Sequence, residues 1–158
     1  MNQKPTVYLE TTIPSYLTAR YSENVCALSR QIITQKWWDE KRDYYRLFIS
    51  DVVMIECQKG DAKASRARIE LITNIDNLEI TDECVVLAQR IFKKLQIPEK
   101  ARDDSLHISL ASVHKIDYLL SWNFKHIVNA VSIKKLNAFL KNEEKHIPQI
   151  CTPEELMT

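Results

Sequence analysis

Short apolar runs alternate with longer amphipathic segments along the chain. Five of the runs predict strands, at Thr6–Leu9, Arg46–Ser50, Leu78–Ile80, Asp117–Leu120 and Gln149–Cys151. In the segments between them, apolar residues recur at the three- and four-residue spacing of helices. Strands that alternate with helices form a mainly parallel sheet covered on both faces. The pattern predicts one α/β domain over residues 1–158, a three-layer α/β/α sandwich with about four or five strands.

Two of the predicted helices carry an apolar stripe. In the helix over Ser22–Lys41 the stripe is predicted to consist of Val25, Leu28, Ile32, Ile33 and Trp37. In the helix from Thr81 to Leu95 the inward residues are predicted to be Val85, Val86, Ala88, Ile91, Phe92 and Leu95. Residues able to cap a helix stand at the predicted helix starts: Ser22, Ser50 or Asp51, Thr81, Asp103 and Thr152. The pair Trp37–Trp38 exceeds what one core position needs, so one of the two is predicted to serve a partner surface.

Polar side chains lie shortly after three of the predicted strands, and another opens the helix that precedes the third of these strands. Glu10 comes directly after the first strand, and Glu56 lies about five residues into the helix after the second. Asp104 opens an amphipathic helix, and Asn123 belongs to the polar turn at 121–126 that follows the next strand. Because the carboxyl ends of parallel strands share one edge of a sheet, we expect these four side chains to converge there.

Each of these residues also has an ordinary structural explanation. An acid just after a strand is often solvated, and adjacent acids such as Asp103 and Asp104 often cap a helix or favour its dipole. His107 lies three residues after Asp104, on the same helix face. Such a histidine is more often structural than catalytic, so its role stays open at this point.

Four segments carry a resemblance to a known family. YLETTIPSYL at 8–17, SDVVMIE at 50–56, and DDSLHISLA at 103–111 followed by DYLLSWNFKHI at 117–127 resemble the motifs of PIN-domain ribonucleases, in the family order. Many of these enzymes are VapC-like toxins of bacterial type II toxin–antitoxin pairs. The resemblance extends over nearly the whole chain and implies a PIN-like fold.

The resemblance assigns roles to the polar residues. Glu10, Glu56 and Asp104 would be the metal-binding carboxylates, with Asp103 left as the helix cap, and Asn123 would stand where most PIN domains place a fourth acid. Carboxylates gathered in one cleft repel one another unless a cation neutralises them, and oxygen ligands suit Mg²⁺ or Mn²⁺. The implied activity is metal-dependent hydrolysis of RNA, and the implied partners are a cognate antitoxin and a second copy of the chain.

Two residues depart from the usual family pattern. Glu10 stands where aspartate is commoner, which moves the carboxylate by about one methylene. Asn123 is neutral, so the site carries less negative charge, although its amide still offers a carbonyl oxygen. We interpret the Trp-Asn-x-x-His ending as a feature of a subgroup.

Composition narrows the possible classes. The single glycine argues against a P-loop or a GxGxxG turn. Four scattered cysteines without a CxxC pair argue against structural zinc and favour a reducing, cytoplasmic compartment. No apolar run approaches the roughly 20 residues of a membrane span, and no signal-peptide pattern is present. A net charge of +1 confines any RNA-binding surface to a local patch, and Lys59–Arg68 is either that patch or a solvated helix face.

Three functions compete at this level. The first is a metal-dependent endoribonuclease acting as a toxin, and the second is a PIN-fold module that binds RNA or a partner without cutting. The third is a flavodoxin-like ligand or signalling domain, for which Glu10–Pro14 is a poor phosphate loop because it lacks glycine.

Overall fold

One parallel sheet forms the centre of the protein in the computed structural model, which describes residues 3–158. Its strands are β1 (Thr6–Leu9), β2 (Arg46–Ser50), β3 (Asp76–Leu78), β4 (Tyr118–Leu120) and β5 (Gln149–Cys151). Their order across the sheet is β3-β2-β1-β4-β5, and every neighbouring pair is parallel. Since β1 is central, the residues that follow β1, β2 and β4 leave the sheet side by side.

Helices cover the sheet and make the crossovers that parallel strands require. Within the described residues they are α1 (Thr12–Thr18), α2 (Val25–Glu40), α3 (Asp51–Cys57), α4 (Ala62–Ile72), α5 (Asp82–Lys94), α6 (Arg102–Val113) and α7 (Ala130–Asn142). Short 3₁₀ segments lie at Arg42–Tyr44, Glu99–Ala101 and Pro153–Leu156. The predicted fold class, an α/β/α sandwich with a parallel sheet of about five strands, is confirmed.

The central strands are buried and joined at their starts. Val7, Tyr8 and Leu9 on β1 and Leu119 and Leu120 on β4 are inaccessible to solvent or nearly so. The carboxylate of Asp117, just before β4, accepts hydrogen bonds from the backbone nitrogen and hydroxyl of Thr6. This contact sets the register in which Leu9 pairs with Leu120.

The predicted β3 is displaced along the chain. We expected Leu78–Ile80, and the strand is Asp76–Leu78. It pairs with β2 up to the match of Ser50 with Leu78, and β2 ends there because α3 begins at Asp51. The partner strand therefore decides where β3 ends.

The predicted apolar stripe of α2 is only partly right: Trp37 is buried and Ile33 packs against the core, but two other members face solvent. Val25 is 78% exposed and Ile32 53% exposed, whereas the buried face consists of Gln31, Thr34 and Trp37. The polar members of this face find partners inside the protein. The Gln31 amide donates to the carbonyl of Arg20, and the hydroxyl of Thr34 accepts a hydrogen bond from the Trp122 indole.

The two tryptophans differ in burial. Trp37 is fully buried and packs 6.0 Å, ring to ring, from Tyr45. Trp38 is half-buried beneath the guanidinium of Arg42, which lies 4.9 Å from its ring centre. Both residues therefore serve packing within this chain.

The inward face of α5 also differs from the prediction. Val85 and Val86 are exposed, and the buried residues are Cys84, Leu87, Ala88 and Ile91. Ala88 and Ile91 are buried and Phe92 and Leu95 pack against the core as predicted, whereas Cys84 and Leu87 take the inward places expected for Val85 and Val86 because α5 packs mainly against α6. Ser109 on α6 donates to the carbonyl of Cys84 at 2.6 Å and fixes that contact.

The predicted caps were right at two helices and wrong at three. Thr81 accepts from the Cys84 nitrogen, and Thr152 precedes Pro153 with its backbone nitrogen bound by Glu155. Asn24 caps α2 in place of Ser22. Neither candidate at α3 caps by its side chain within the described residues, because Ser50 bonds to Tyr8 and Asp51 to Asn77. Asp103 makes no capping hydrogen bond to any described residue.

Helix α6 is buried around its whole circumference and is not amphipathic. Its buried residues include Asp104, Ser105, His107, Ser109 and Ser112. Each serine hydroxyl donates to a backbone carbonyl, at Arg102, Cys84 and His146 respectively. Small, satisfied polar residues let α6 lie between its neighbours and present Asp104 and His107 to the end of the sheet.

Candidate functional site

Glu10 is held at the end of β1 by three hydrogen bonds to one oxygen. Its Oε2 accepts from the Thr12 nitrogen at 3.1 Å, the Thr12 hydroxyl at 2.5 Å and the Ser121 hydroxyl at 2.7 Å. The residue is buried. Because Ser121 follows β4, the contact joins the ends of two neighbouring strands.

Glu56 is held by a buried histidine. Its Oε1 accepts from His107 Nε2 at 2.5 Å and from the Thr11 hydroxyl at 2.8 Å. His107 is fully buried, and its Nδ1 lies 2.7 Å from the Tyr8 hydroxyl, which in turn lies 2.7 Å from the Ser50 hydroxyl. A chain of polar contacts thus runs from the end of β2, through β1 and α6, to the carboxylate on α3.

The charges around His107 and Glu56 explain the protonation states of these two side chains. Burial lowers the pKa of His107, but its hydrogen bond to Glu56 and the negative charges of Glu10, Glu56 and Asp104 outweigh burial and raise it. Burial raises the pKa of Glu56, and the hydrogen bond and charge of His107 outweigh it, so the net direction is down. The two shifts favour an imidazolium paired with a carboxylate. Burial raises the pKa of Tyr8 well above its usual value, so its hydroxyl keeps its proton.

Of the three carboxylates, Asp104 accepts the fewest hydrogen bonds from the described residues. Its Oδ2 accepts from the Asn123 amide nitrogen at 3.1 Å. Burial raises the pKa of Asp104 to about 6, the charges of Glu10 and Glu56 add to the rise, and His107 and Asn123 oppose it. The raised pKa therefore reflects mainly the burial of this carboxyl, with a smaller contribution from the neighbouring negative charges.

Asn123 holds Asp104 and anchors its own loop. Its carbonyl oxygen accepts from the His126 backbone nitrogen at 3.0 Å, and its backbone nitrogen donates to Ser121 at 2.9 Å. One of the two lone pairs of this carbonyl oxygen is thus used within the loop. Its amide nitrogen faces Asp104, so Asn123 acts as a donor toward the site.

The structure places Glu10, Glu56, Asp104 and Asn123 in one linked group at the ends of β1, β2 and β4. Hydrogen bonds run from Glu10 through Ser121 and Asn123 to Asp104. Glu56 is tied to the hydroxyl of Thr11, the residue after Glu10, and to His107, which lies one turn from Asp104 on α6. The sequence did not single out Tyr8 or Ser50. Tyr8 lies in a β-rich apolar run, where nothing distinguishes a hydrogen-bonded hydroxyl from a packed ring.

The donor set fits a hard divalent cation in kind. In each carboxylate the hydrogen bonds from described residues go to one oxygen, which leaves Glu10 Oε1, Glu56 Oε2 and Asp104 Oδ1 available. Oxygen ligands and excess negative charge suit Mg²⁺ or Mn²⁺. Within residues 3–158, however, no three acidic, histidine or cysteine side chains are already grouped as an ion site. The carboxylates therefore have to draw together to share an ion.

The basic segment at 59–68 is only partly free. The guanidinium of Arg68 donates to the carbonyls of Cys57 and Lys59 and so fastens α4 to the end of α3. Lys59, Lys63 and Arg66 are exposed.

In the described part of the chain, no helix combines the length and apolar character of a membrane span.

Solved structures share this fold. VapBC-1 from nontypeable Haemophilus influenzae matches with a TM-score of 0.55 at 16% identity, over 94% of this chain and 98% of that one. VapBC2 from Rickettsia felis, bound to a DNA fragment of its promoter, matches with 0.53 at 12%, over 93% and 98%. VapC20 of Mycobacterium tuberculosis, a toxin that cleaves the sarcin-ricin loop, matches with 0.52 at 11%, over 76% and 92%.

The class of fold is therefore that of the VapC toxin structures, and the fold implied by the motif resemblance is confirmed. At these identities the likeness concerns the fold. No protein-family model matches the sequence, and a search of the curated proteins finds no match.

Proposed function

We propose that the protein is a divalent-metal-dependent endoribonuclease with a VapC-type fold, acting as one catalytic domain over residues 1–158. The observation that supports this most strongly is the group of three carboxylates, Glu10, Glu56 and Asp104. Each carboxylate is anchored by hydrogen bonds to one of its oxygens and keeps the other oxygen available. The group lies at the edge of the sheet where the adjacent parallel strands β1, β2 and β4 end. Such a group has no evident use in packing, because like charges gathered together cost stability.

In this proposal Glu10, Glu56 and Asp104 hold Mg²⁺ or Mn²⁺. The bound ion would supply an activated water and charge stabilisation at the scissile phosphate. Thr12 and Ser121 orient Glu10, the pair His107 and Tyr8 orients Glu56, and Asn123 orients Asp104. Neutral or cationic donors of this kind fix the orientation of each carboxylate before substrate arrives.

The nucleophile in this proposal is water and not a side chain. Burial raises the pKa of the Cys57 thiol, the cysteine nearest Glu56 in sequence, to about 11, so it stays protonated. The Ser121 hydroxyl donates to Glu10 and accepts from the Asn123 nitrogen. Both are therefore poorly suited to form a covalent intermediate.

The toxin role and its partners belong to the same proposal. Solved structures with this fold include VapBC assemblies, which supports a cognate antitoxin for this chain as well. Val25 and Ile32, seven residues apart on α2, expose apolar side chains on one helix face. This face supports contact with a partner, either an antitoxin or a second copy of the chain in a homodimer.

The cleavage test compares wild type with Asp104→Asn on a mixed RNA pool, with Mn²⁺, with Mg²⁺ and with EDTA. We expect cleavage by wild type with either ion, none with EDTA, and loss of at least about 100-fold in Asp104→Asn, because asparagine keeps the size but not the charge that holds the cation. Asp103→Asn is the matched control, since Asp103 is an exposed acid beside Asp104 on the same helix.

Two outcomes decide the matter. Cleavage by Asp104→Asn at the wild-type rate contradicts the metal-nuclease proposal. If wild type cuts no RNA with any divalent ion but binds RNA, the second candidate gains, a PIN-fold binding module. Two observations favour that candidate. Asn123 stands in place of an acid, and in the described residues the carboxylates are not already close enough together to form an ion site.

A further inference from the structure

An exposed aromatic side chain stands directly beside the candidate site. Phe124 is 41% exposed and follows Asn123, the residue that holds Asp104. The guanidinium of Arg30 on α2 lies 4.7 Å from the centre of the Phe124 ring and 5.8 Å from that of Trp122. The rings of Trp122 and Phe124 are 6.1 Å apart. Arg30, Phe124 and Trp122 thus form one contiguous group, named here the aromatic–arginine platform.

The loop that carries this platform is fastened to the site at several points. The Trp122 backbone nitrogen donates to the Thr12 hydroxyl, which itself donates to Glu10. The Trp122 indole donates to Thr34, and the Asn129 amide donates to the carbonyl of Phe124. A loop tied at both ends keeps Phe124 at a fixed place relative to the carboxylates.

The surroundings of the platform are positively charged. Partial burial lowers the pKa of His126, and the charges of Lys125 and Lys100 lower it further, so both lysines stand near this loop. Lys100 and Lys125 are exposed. Arg30 forms no ion pair with any acid in the described residues. The positive charge here is therefore available to an anionic ligand.

These observations distinguish the platform from an ordinary apolar patch. An aromatic ring with an adjacent guanidinium offers stacking surfaces to a nucleobase, and flanking lysines offer charge to its phosphates. A protein partner that buries apolar area gains little from cations it must desolvate. A base paired within a duplex has no free face, whereas an unpaired base does.

We propose that Arg30 and Phe124 stack against an unpaired base of single-stranded RNA, with Lys100 and Lys125 beside the flanking phosphates. The inference rests on the proposed function and deepens it, because it assigns the side chains that would hold an RNA base beside the carboxylates. It also sets the RNA next to the carboxylates, since Asn123 and Phe124 are adjacent in the chain.

The test measures binding separately from cleavage. The full chain carrying Asp104→Asn is titrated, with Mg²⁺ present, against a labelled single strand of about 12 nucleotides of mixed sequence and against the same strand in a duplex. Fluorescence anisotropy gives the Kd. We expect tighter binding of the single strand, and Phe124→Ala should weaken that binding on the order of 10-fold while changing duplex binding little. Phe124→Trp should restore it.

Tyr44→Ala is the matched control. Tyr44 is also an exposed aromatic side chain with a cation over its ring, from Lys41 at 5.7 Å, but it precedes β2 at the opposite end of the sheet. Its removal should leave RNA binding unchanged. Thermal melting of Phe124→Ala, expected to match the parent, checks that the fold survives.

Three results would overturn the inference: unchanged single-strand binding in Phe124→Ala, an equal loss on single strand and duplex, or an equal loss in Tyr44→Ala. If the Asp104→Asn chain and wild type bind no RNA at all, the proposed function itself fails. That result differs from RNA binding that is indifferent to Phe124.

Discussion

The three carboxylates of the site differ in the hydrogen-bond donors and positive charge that stabilise their ionised form. Glu56 faces the imidazole of His107, and Glu10 receives hydroxyl and amide donors, whereas Asp104 receives one amide of Asn123. Burial accounts for most of the rise in the pKa of Asp104 to about 6. In the absence of a cation, the ionised Asp104 therefore lowers the stability of the folded state.

Asp104→Asn should stabilise the metal-free protein near pH 7.5. The unfolded chain loses this proton near 3.8 and the folded chain near 6, so folded wild type loses stability as pH rises between these values. The difference corresponds to at most about 3 kcal/mol, and residual water access reduces it to on the order of 1–2 kcal/mol. Urea unfolding in EDTA measures it.

The gain should shrink as the pH falls and vanish near pH 3, where Asp104 is mostly protonated in both states. Asp103→Asn, which changes an exposed acid, should change the stability little at either pH. An Asp104→Asn protein that is no more stable than wild type at pH 7.5 would show that Asp104 is not under repulsion.

At the scale of elements, α2 and the loop after β4 depend on one another. The buried face of α2 is partly polar, and Thr34 supplies the partner of the Trp122 indole at 2.7 Å. Trp122 in turn contacts Tyr16 on α1, ring to ring at 6.2 Å. Contacts with α1 and α2 therefore help to position the loop that carries Asn123, in addition to β4, the strand it follows.

Thr34→Val should destabilise the protein by about 1–3 kcal/mol. Valine keeps the shape but leaves the buried indole N–H without a partner, and an unsatisfied buried donor costs about that much. Chemical denaturation measures the change in the free energy of unfolding. Lys36→Ala, at an exposed position of the same helix, should change it by less than about 0.5 kcal/mol. Equal effects at the two positions would contradict the assignment of the α2 faces.

At the scale of the whole molecule, the thiols report which side chains the fold encloses. Cys26 is exposed, and Cys57, Cys84 and Cys151 are buried. Burial raises the pKa of Cys57 to about 11 and that of Cys151 to about 12. Neither thiol forms an appreciable amount of the reactive thiolate at neutral pH.

Iodoacetamide at pH 8 should therefore modify Cys26 in the native protein and the other three cysteines only after denaturation. Mass spectrometry of the digested protein gives the rate at each site. Native modification of Cys57 or Cys151 as fast as Cys26 would mean that the core opens far more readily than its burial indicates.

A homodimer in solution remains a prediction at this scale. Trp37 is buried and Trp38 is half-buried, and Val25 and Ile32 expose a further apolar face on α2. We expect light scattering to report a dimer and Ile32→Glu to shift it toward monomer, because a buried charge at an apolar interface is costly. Val86→Glu, on the exposed side of α5, is the control. A strictly monomeric wild type at high concentration removes this prediction.

The sequence alone determined the fold class, most element positions and the order of the polar residues. Thr6–Leu9, Arg46–Ser50 and Gln149–Cys151 are strands as predicted, because short β-rich runs bounded by turn or helix-start residues depend on local preference. Since parallel strands bring their carboxyl ends to one edge, the expectation that Glu10, Glu56, Asp104 and Asn123 converge followed from chain order.

Only the tertiary structure decided which faces are buried and how the site is wired. The inward faces of α2 and α5, the end of β3 and the burial of α6 on all sides depend on neighbours distant in sequence. The same is true of the contact of His107 with Tyr8 and Glu56, 99 and 51 residues away along the chain. Hydropathy spacing marks apolar residues, but a buried threonine, histidine or tyrosine hydroxyl is stable only where the fold supplies its hydrogen-bond partner.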